Sequence, residues 1–243
     1  MSHPVIILVE PQMAENIGMV ARAMANFGLT ELRLVAPRNG WPKKGAHSAA
    51  SGAVHVLEQA QLHATAREAV ADLNYVFATT ARERGQMKRV FGPDDGMAEA
   101  EARIGAGERV GILFGRERTG LENDEVSLAD SIITFPVDAK FSSLNLAQAV
   151  LLVSYEWRKH TDAALPFEGG QISPQAPREM LTSFFDYVES ELEAVNFYPE
   201  NKKPIMARNM RDMFHRLTLS EQDIRTLRGA FRAVAEGRRL RKP

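Results

Sequence analysis

The chain has 243 residues, 44% of them hydrophobic and 25% charged, a composition that sets aside disordered and fibrous proteins and leaves one large domain, or one of about 160 residues with an appendage. It contains no Cys, which excludes disulfides, thiolate zinc sites, iron–sulfur clusters and thiol nucleophiles. The net charge of −1 hides an asymmetry: residues 202–243 carry twelve Lys/Arg against four Asp/Glu, a basic module on an acidic body of the kind that holds a polyanion.

From the N-terminus, Met1-Ser2-His3-Pro4 lacks the charged start of a signal peptide, and no later stretch approaches the roughly 18 apolar residues of a membrane helix. A cytoplasmic protein without a membrane partner is the expectation. Short apolar runs at 5–9, 31–35, 75–78, 110–114 and 131–135 read as buried strands. Helical patterns lie between and after them at 16–27, 64–73, 97–104 and 144–159. This alternation predicts an α/β domain over residues 1–160, a parallel sheet covered by helices on both faces. Residues 161–177, with Pro166, Gly169, Gly170, Pro174 and Pro177, read as a linker. Three helical patterns follow, at 178–195, 205–217 and 220–236, predicting a small helical domain over 178–243. The last opens on Ser220-Glu-Gln-Asp223, close to a capping box, and sets Ile224, Leu227, Phe231 and Val234 on one face.

An α/β sheet invites a search for nucleotide-binding signatures, yet the segment after the first strand holds neither G-x-G-x-x-G nor a P-loop, and G-x-S-x-G is also absent. The six His, at 3, 47, 55, 63, 160 and 215, show no pair at ligand spacing, so no metal is expected. Three other segments place polar residues and Gly where a strand runs into a helix. In Glu15-Asn-Ile-Gly-Met-Val-Ala-Arg22, Asn16 is placed to cap a helix of small and apolar residues that carries one Arg; a solvated surface Arg is the plain alternative. In Phe114-Gly-Arg-Glu-Arg-Thr-Gly-Leu121, a buried strand delivers Arg116, Glu117 and Arg118 to its carboxyl edge, where open α/β sheets bind ligands. In Phe135-Pro-Val-Asp-Ala-Lys-Phe-Ser-Ser-Leu-Asn-Leu146, Ser142 and Ser143 are natural N-caps, and Asn145, one turn into an apolar helix, calls for a partner for its amide.

Taken in order, Asn16-Ile-Gly-x3-Arg22, Phe-Gly-Arg-Glu117-Arg-x-Gly-Leu and Ser142-Ser-Leu-Asn-Leu146 resemble the three successive motifs of the SpoU branch of the SPOUT RNA methyltransferases. The resemblance covers residues 4 to 160, and the Gly-Arg-Glu-Arg form with a helical extension is similar to the branch that modifies tRNA. It implies a SPOUT-type parallel sheet with a C-terminal trefoil knot, S-adenosylmethionine as cofactor and an active site assembled across a homodimer. By position, the cofactor shell comprises Thr79, Thr80 and Ala81, Gly115, Phe135, and Ser142, Ser143 and Leu144. Arg22 is the residue implied at the ribose 2′-oxygen, with Asn16 and Glu117 holding Arg22 and the ribose, and Ser143 and Asn145 completing the catalytic network.

Methyl transfer from a sulfonium to a hydroxyl depends on positioning and on stabilising a developing alkoxide. A free guanidinium is a poor base, its pKa exceeding about 12. Either the site of Arg22 is unusual, or Arg22 stabilises charge while a phosphate or water takes the proton. For binding RNA, Arg82, Arg84, Lys88 and Arg89 form a basic loop just after the Thr79-Thr80-Ala81 segment, and Arg225, Arg228, Arg232 and Arg239 fall within about a sixth of a turn on the helical wheel. The implied activity is 2′-O-methylation of tRNA at pyrimidine 32 of the anticodon loop. Wobble nucleotide 34, a ribosomal RNA ribose, and a non-catalytic RNA-binding protein on the same fold remain as alternatives.

Overall fold

The computed structural model describes residues 2–38, 40–82, 87–162, 164–167, 169 and 173–239. The chain forms two compact units, Met1–Ala164 and Leu165–Pro243.

The first unit is built on seven parallel strands, β1 (Val5–Val9), β2 (Leu32–Val35), β3 (Gln61–His63), β4 (Tyr75–Thr79), β5 (Arg89–Phe91), β6 (Val110–Phe114) and β7 (Ser131–Ile133), in the spatial order β3-β2-β1-β6-β4-β7-β5. The register sets Ile6 beside Leu32 and Ile112, and Phe77 beside Ile112 and Ser131. Helices α1 (Ala14–Asn26), α2 (Lys44–Ala50), α3 (Val54–Glu58), α4 (Ala66–Val70), α5 (Pro93–Gly105), α6 (Asn123–Ser127) and α7 (Leu146–Thr161) connect and follow the strands. Alternation along the central strands sorts the core into two layers. Ile6, Leu8, Phe77, Ile112 and Phe114 pack with residues of α1, α2, α3, α5 and α7, whereas Val5, Ile7, Val9, Val76 and Leu113 pack with α4 and α6. Burial on both faces is why these strands read as unbroken apolar runs.

Several sequence expectations shift. Strands β3 and β5, the two edges of the sheet, and the short helices α2, α3 and α6 have no counterpart among the predicted elements. The run 131–135 leaves the ladder after Ile133, just ahead of Pro136, which has no N–H to donate. The helix expected at 64–73 is confined to Ala66–Val70, its N-terminus closed by Thr65 Oγ1, which accepts from Glu68 N–H at 3.2 Å. Helix α5 starts four residues earlier than its apolar pattern, because Pro93 at the first turn and Asp94 and Asp95 beside it suit a helix N-terminus. Gly18 has a strict packing role: a Cβ there would lie 2.1 Å from the carbonyl oxygen of Ala46, where α1 passes the backbone of α2.

In the second unit, α8 (Arg178–Ala194), α9 (Lys203–Arg216) and α10 (Glu221–Arg239) bury their own core of Leu181, Phe184, Phe185, Val188, Phe214, Leu219 and Ile224. Phe184 and Phe214 meet edge-on at 5.1 Å. The box at the start of α10 forms with Asp in the place of Glu: Ser220 N–H donates to Asp223 Oδ2 at 2.8 Å and Asp223 N–H to Ser220 Oγ at 3.2 Å. Ile224 is fully buried and Leu227 and Phe231 partly so, but Val234, expected on the same face, is exposed.

Candidate active site

The carboxyl ends of β4, β6 and β7 and the segment entering α7 surround one cleft. All eight expected cofactor residues line it: Thr79, Thr80 and Ala81 after β4, Gly115 after β6, Phe135 after β7, and Ser142, Ser143 and Leu144 ahead of α7. Phe114, Leu121 and Leu146 add apolar wall. Thr79 Oγ1 donates to Leu113 O at 2.8 Å, locking β4 to β6 beside the cleft, while Thr80 Oγ1 accepts from Arg82 N–H at 3.1 Å and turns the chain away. The backbone N–H groups of Ser142, Ser143 and Leu144, residues of the cleft lining, make no hydrogen bond with any described residue. The loop after β6, also part of the lining, doubles back on itself through Arg116 N–H to Gly120 O at 3.3 Å and Gly120 N–H to Arg116 O at 2.9 Å. The returning backbone lies so close that a Cβ on Gly115 would sit 2.1 Å from Leu121 N and 2.2 Å from Gly120 C, so only glycine fits.

Beside the cleft runs a chain of side-chain hydrogen bonds across three motifs. Glu117 accepts from the backbone N–H of Gln12 at 2.9 Å and Met13 at 3.0 Å, and from Asn16 Nδ2 at 3.0 Å. Asn16 Oδ1 accepts from Asn145 Nδ2 at 3.1 Å, and Asn145 Oδ1 accepts from Ala147 N–H at 2.8 Å. Burial pushes the Glu117 carboxyl up, but the donors from Met13, Asn16 and Gln12 outweigh it and hold it below the usual carboxylate range. An ionised Glu117 only accepts, which fixes the Asn16 amide one way round, and Asn16 in turn fixes Asn145.

Three expectations are corrected here. Asn16 does not cap α1, which starts at Ala14; it sits in the first turn, 2% exposed, with its amide turned to Glu117. Asn145 is not one turn into α7 but is its N-cap, in a capping box with Gln148, and Ser142 and Ser143 lie outside the helix. Nor do Asn16 and Glu117 hold Arg22 within one chain. Six residues separate Arg22 from Asn16, about 9 Å along a helix axis, and Arg22 is exposed, without a hydrogen bond or ion pair to any described residue. Neither Arg22 nor Ser143 joins the Glu117–Asn16–Asn145 chain, although Ser143 lines the cleft.

The basic candidates differ in what they do. Arg82 is exposed, and its side chain makes no hydrogen bond or ion pair with a described residue; Arg84 lies outside the described residues. Lys88 is occupied, its ammonium donating to the carbonyls of Ala129 and, at 3.3 Å, Ser127 where α6 ends. Arg89 belongs to edge strand β5 and lies over the Phe91 ring at 4.7 Å. On α10, Arg225 pairs with Glu221 at 2.8 Å, Arg232 with Glu236 at 2.9 Å, and Arg228 donates to Ser183 Oγ at 3.0 Å; the Arg239 side chain lies outside the described residues. Among all described residues, one group at ligand spacing joins Asp94, Glu156 and His160, where Lys159 already reaches Glu156 at 2.6 Å and Asp94 at 3.6 Å. No helix among them is long and apolar enough to cross a membrane.

Residues 3–155 match the profile of the SpoU rRNA Methylase family, and residues 179–243 that of the C-terminal domain of the tRNA methyltransferase TrmJ. A tRNA (cytidine/uridine-2′-O-)-methyltransferase TrmJ from Klebsiella pneumoniae is 33% identical over 235 residues, which span 95% of this chain and 96% of that protein. The crystal structure of TrmJ from Z. mobilis ZM4 is 47% identical with a TM-score of 0.84, over 96% of this chain and all of that one. A structure concerned with 2-OH methylation of C/U34 on tRNA is 25% identical with a TM-score of 0.52, over 65% of this chain and 96% of that chain. The fold, the ordered motifs and these full-length likenesses place the chain in the SpoU/TrmJ family of SPOUT methyltransferases.

Proposed function

We propose that the protein is a cytoplasmic homodimer that methylates the ribose 2′-hydroxyl of pyrimidine 32 in the tRNA anticodon loop, using S-adenosylmethionine. The observation that carries the reading is the convergence of all eight expected cofactor residues on one cleft, flanked by the oriented Glu117–Asn16–Asn145 chain. A lining that combines apolar Phe114, Leu121 and Leu146 with three backbone N–H groups unpaired among the described residues fits a flat purine with polar edges and a carboxylate. When bound, S-adenosylmethionine supplies a methyl group on a positively charged sulfur. Asn16 and Asn145 keep the acceptor side rigid, and the guanidinium of Arg22 stabilises negative charge on the 2′-oxygen while a phosphate oxygen or water takes the proton.

Two further parts of the reading rest on exposed surface and on topology. Met19, Leu151, Leu152 and Tyr155 are exposed on α1 and α7, and Tyr155 meets Phe27 edge-on at 5.8 Å. Such an apolar face, with Met19 three residues from Arg22, suits a second copy of the chain, which would bring Arg22 of one subunit to the cleft of the other. Strands β6 and β7 are each inserted between earlier strands, and the loop after Gly115 returns tightly over the end of its own strand; both support a trefoil knot there. We assign residues 1–160 as the catalytic domain, 161–177 as a linker and 178–243 as an RNA-holding domain, with Arg82, Arg84, Lys88 and Arg89 near the target and Arg225, Arg228 and Arg232 on the tail. Wobble methylation is the second reading, favoured by the C/U34 likeness, but that likeness covers only 65% of the chain.

The test is methyl transfer from labelled S-adenosylmethionine to tRNA transcripts bearing a 2′-deoxy nucleotide at position 32 or 34. Loss of label only with the position-32 block supports the assignment; loss only at 34 moves the target to the wobble base, and no transfer to any tRNA overturns the enzymatic reading.

A further inference from the structure

The loop between Gly115 and Leu121 forms one wall of the cleft, yet the guanidinium at its start is occupied within the chain. The Arg116 side chain is only 10% exposed. Its Nε and Nη2 donate to the two oxygens of Glu10 at 2.9 and 2.6 Å, while Nη1 and Nη2 donate to those of Glu125 at 3.0 and 2.9 Å. One planar guanidinium thus makes two bidentate carboxylate pairs, which the fork of Arg permits and the point charge of Lys does not.

The three residues belong to three different elements. Glu10 directly follows β1 with φ +45, a left-handed conformation that a non-glycine residue adopts only when its surroundings hold it there, and its N–H donates to Val35 O at 2.8 Å. Glu125 lies in the first turn of α6, where its carboxylate also accepts from Glu122 N–H at 2.6 Å. Arg116 therefore ties the cleft loop to the carboxyl end of the central strand on one side and to the helix that follows the loop on the other. The returning backbone at Gly120 and Leu121 occupies the space a Cβ on Gly115 would take, and the double pairing of Arg116 opposes movement of the loop out of that position.

We infer that Arg116 is a positioning residue which, through Glu10 and Glu125, holds the 115–121 loop at the height where its backbone walls the cofactor cleft, and thereby sets the affinity for S-adenosylmethionine. The inference rests on the reading of the cleft as the cofactor site. The ammonium introduced by Arg116→Lys reaches one carboxylate at a time, and losing one bidentate, charge-assisted pair is worth about tenfold in an equilibrium constant.

Calorimetric titration of the full chain with S-adenosylmethionine, on wild type, Arg116→Lys and Glu10→Ala, tests this alongside thermal unfolding and steady-state kinetics. The expected result is a dissociation constant raised about tenfold in Arg116→Lys and by a smaller factor in Glu10→Ala. The KM for tRNA stays unchanged, and turnover is recovered at saturating cofactor. A lowered melting temperature and active fraction with an unmoved dissociation constant would show Arg116 to be scaffold alone and overturn the inference. Glu10, half-exposed at a strand end, decides the matter if Arg116→Lys does not fold: a wild-type constant in Glu10→Ala overturns it. A wild-type protein that binds no S-adenosylmethionine overturns instead the cofactor reading beneath it.

Discussion

Replacing Glu117 by Gln removes one charge and turns one acceptor into a donor without changing shape. Glu117 Oε1 faces the N–H groups of Gln12, Met13 and Asn16 at 3.1, 3.0 and 3.0 Å, and Oε2 faces Gln12 N–H at 2.9 Å. With the new oxygen placed at Oε1, the three donors keep a neutral acceptor, and the new NH2 points at the Gln12 N–H. Charge assistance is worth about 1 kcal/mol per bond, and the half-buried setting reduces the total, so a loss of about 2 kcal/mol follows. For a unit of this size that is roughly 4–8 °C in Tm. The pH dependence has a definite sign. The folded carboxyl titrates below its ordinary value, so its stabilisation is fully present above the unfolded pKa of about 4.3 and disappears as pH falls through the folded one. The Tm difference between wild type and Glu117→Gln should therefore hold from about pH 8 to 5 and close as pH falls through the lowered folded pKa. Scanning calorimetry from neutral pH into acid checks it; a gap absent near pH 7, or one that never narrows as the carboxyl is protonated in acid, refutes the assignment of Glu117 as an ionised anchor. Methyl transfer should fall more than stability predicts, since Asn16, and through it Asn145, is then anchored to a neutral acceptor that can turn its NH2 toward it in place of a fixed carboxylate.

Arg22→Ala should leave S-adenosylmethionine binding intact while methyl transfer collapses, because Arg22 is exposed and does not line the cleft of its own chain; calorimetry and a transfer assay on one preparation separate the two, and near wild-type turnover would remove Arg22 from the mechanism. Gly115→Ala should abolish cofactor binding, since the added carbon meets backbone atoms at 2.1 and 2.2 Å that have no flexible end to move; an unchanged titration would show that the loop lifts freely. Removing residues 165–243 should leave a folded, cofactor-binding core, given two separate hydrophobic cores, and the log–log salt dependence of tRNA affinity should flatten by somewhat less than one unit for every phosphate the tail neutralises. Circular dichroism and filter binding across salt decide: an unfolded product sinks the two-unit reading, and an unchanged slope eliminates the tail as an RNA-binding element.

What the sequence discloses follows from where burial leaves a pattern. Val5–Val9 and Val110–Phe114 are covered on both faces and announce themselves as apolar runs, and the three helices of the second unit carry their stripes openly. Edge strands Gln61–His63 and Arg89–Phe91 are three residues long and largely exposed, so no apolar run marks them. At the entrance to α7, Ser142 and Ser143 have the chemistry of caps, yet Asn145 followed three residues on by Gln148 has the capping-box spacing and prevails. The motifs bring the cleft residues into view, but not the role of Arg116, whose partner Glu10 lies 106 residues away in sequence. No local rule reads a pairing of that span.

The strand order also governs how the chain comes into being. β1 leaves the ribosome ahead of the other six strands, but its second neighbour, β6, begins at Val110, and the far side of the sheet closes only when β7 has slotted between β4 and β5. At about 5–20 residues per second, the Val-Ile-Ile-Leu-Val segment spends roughly 5–20 s with one side unpaired, an all-apolar strand edge in a crowded cell. Parallel pairing offers no hairpin as a shortcut. Nascent chains halted near residue 100 should accordingly be captured by holdase chaperones and be open to protease, and should become resistant only once β7 has cleared the exit tunnel.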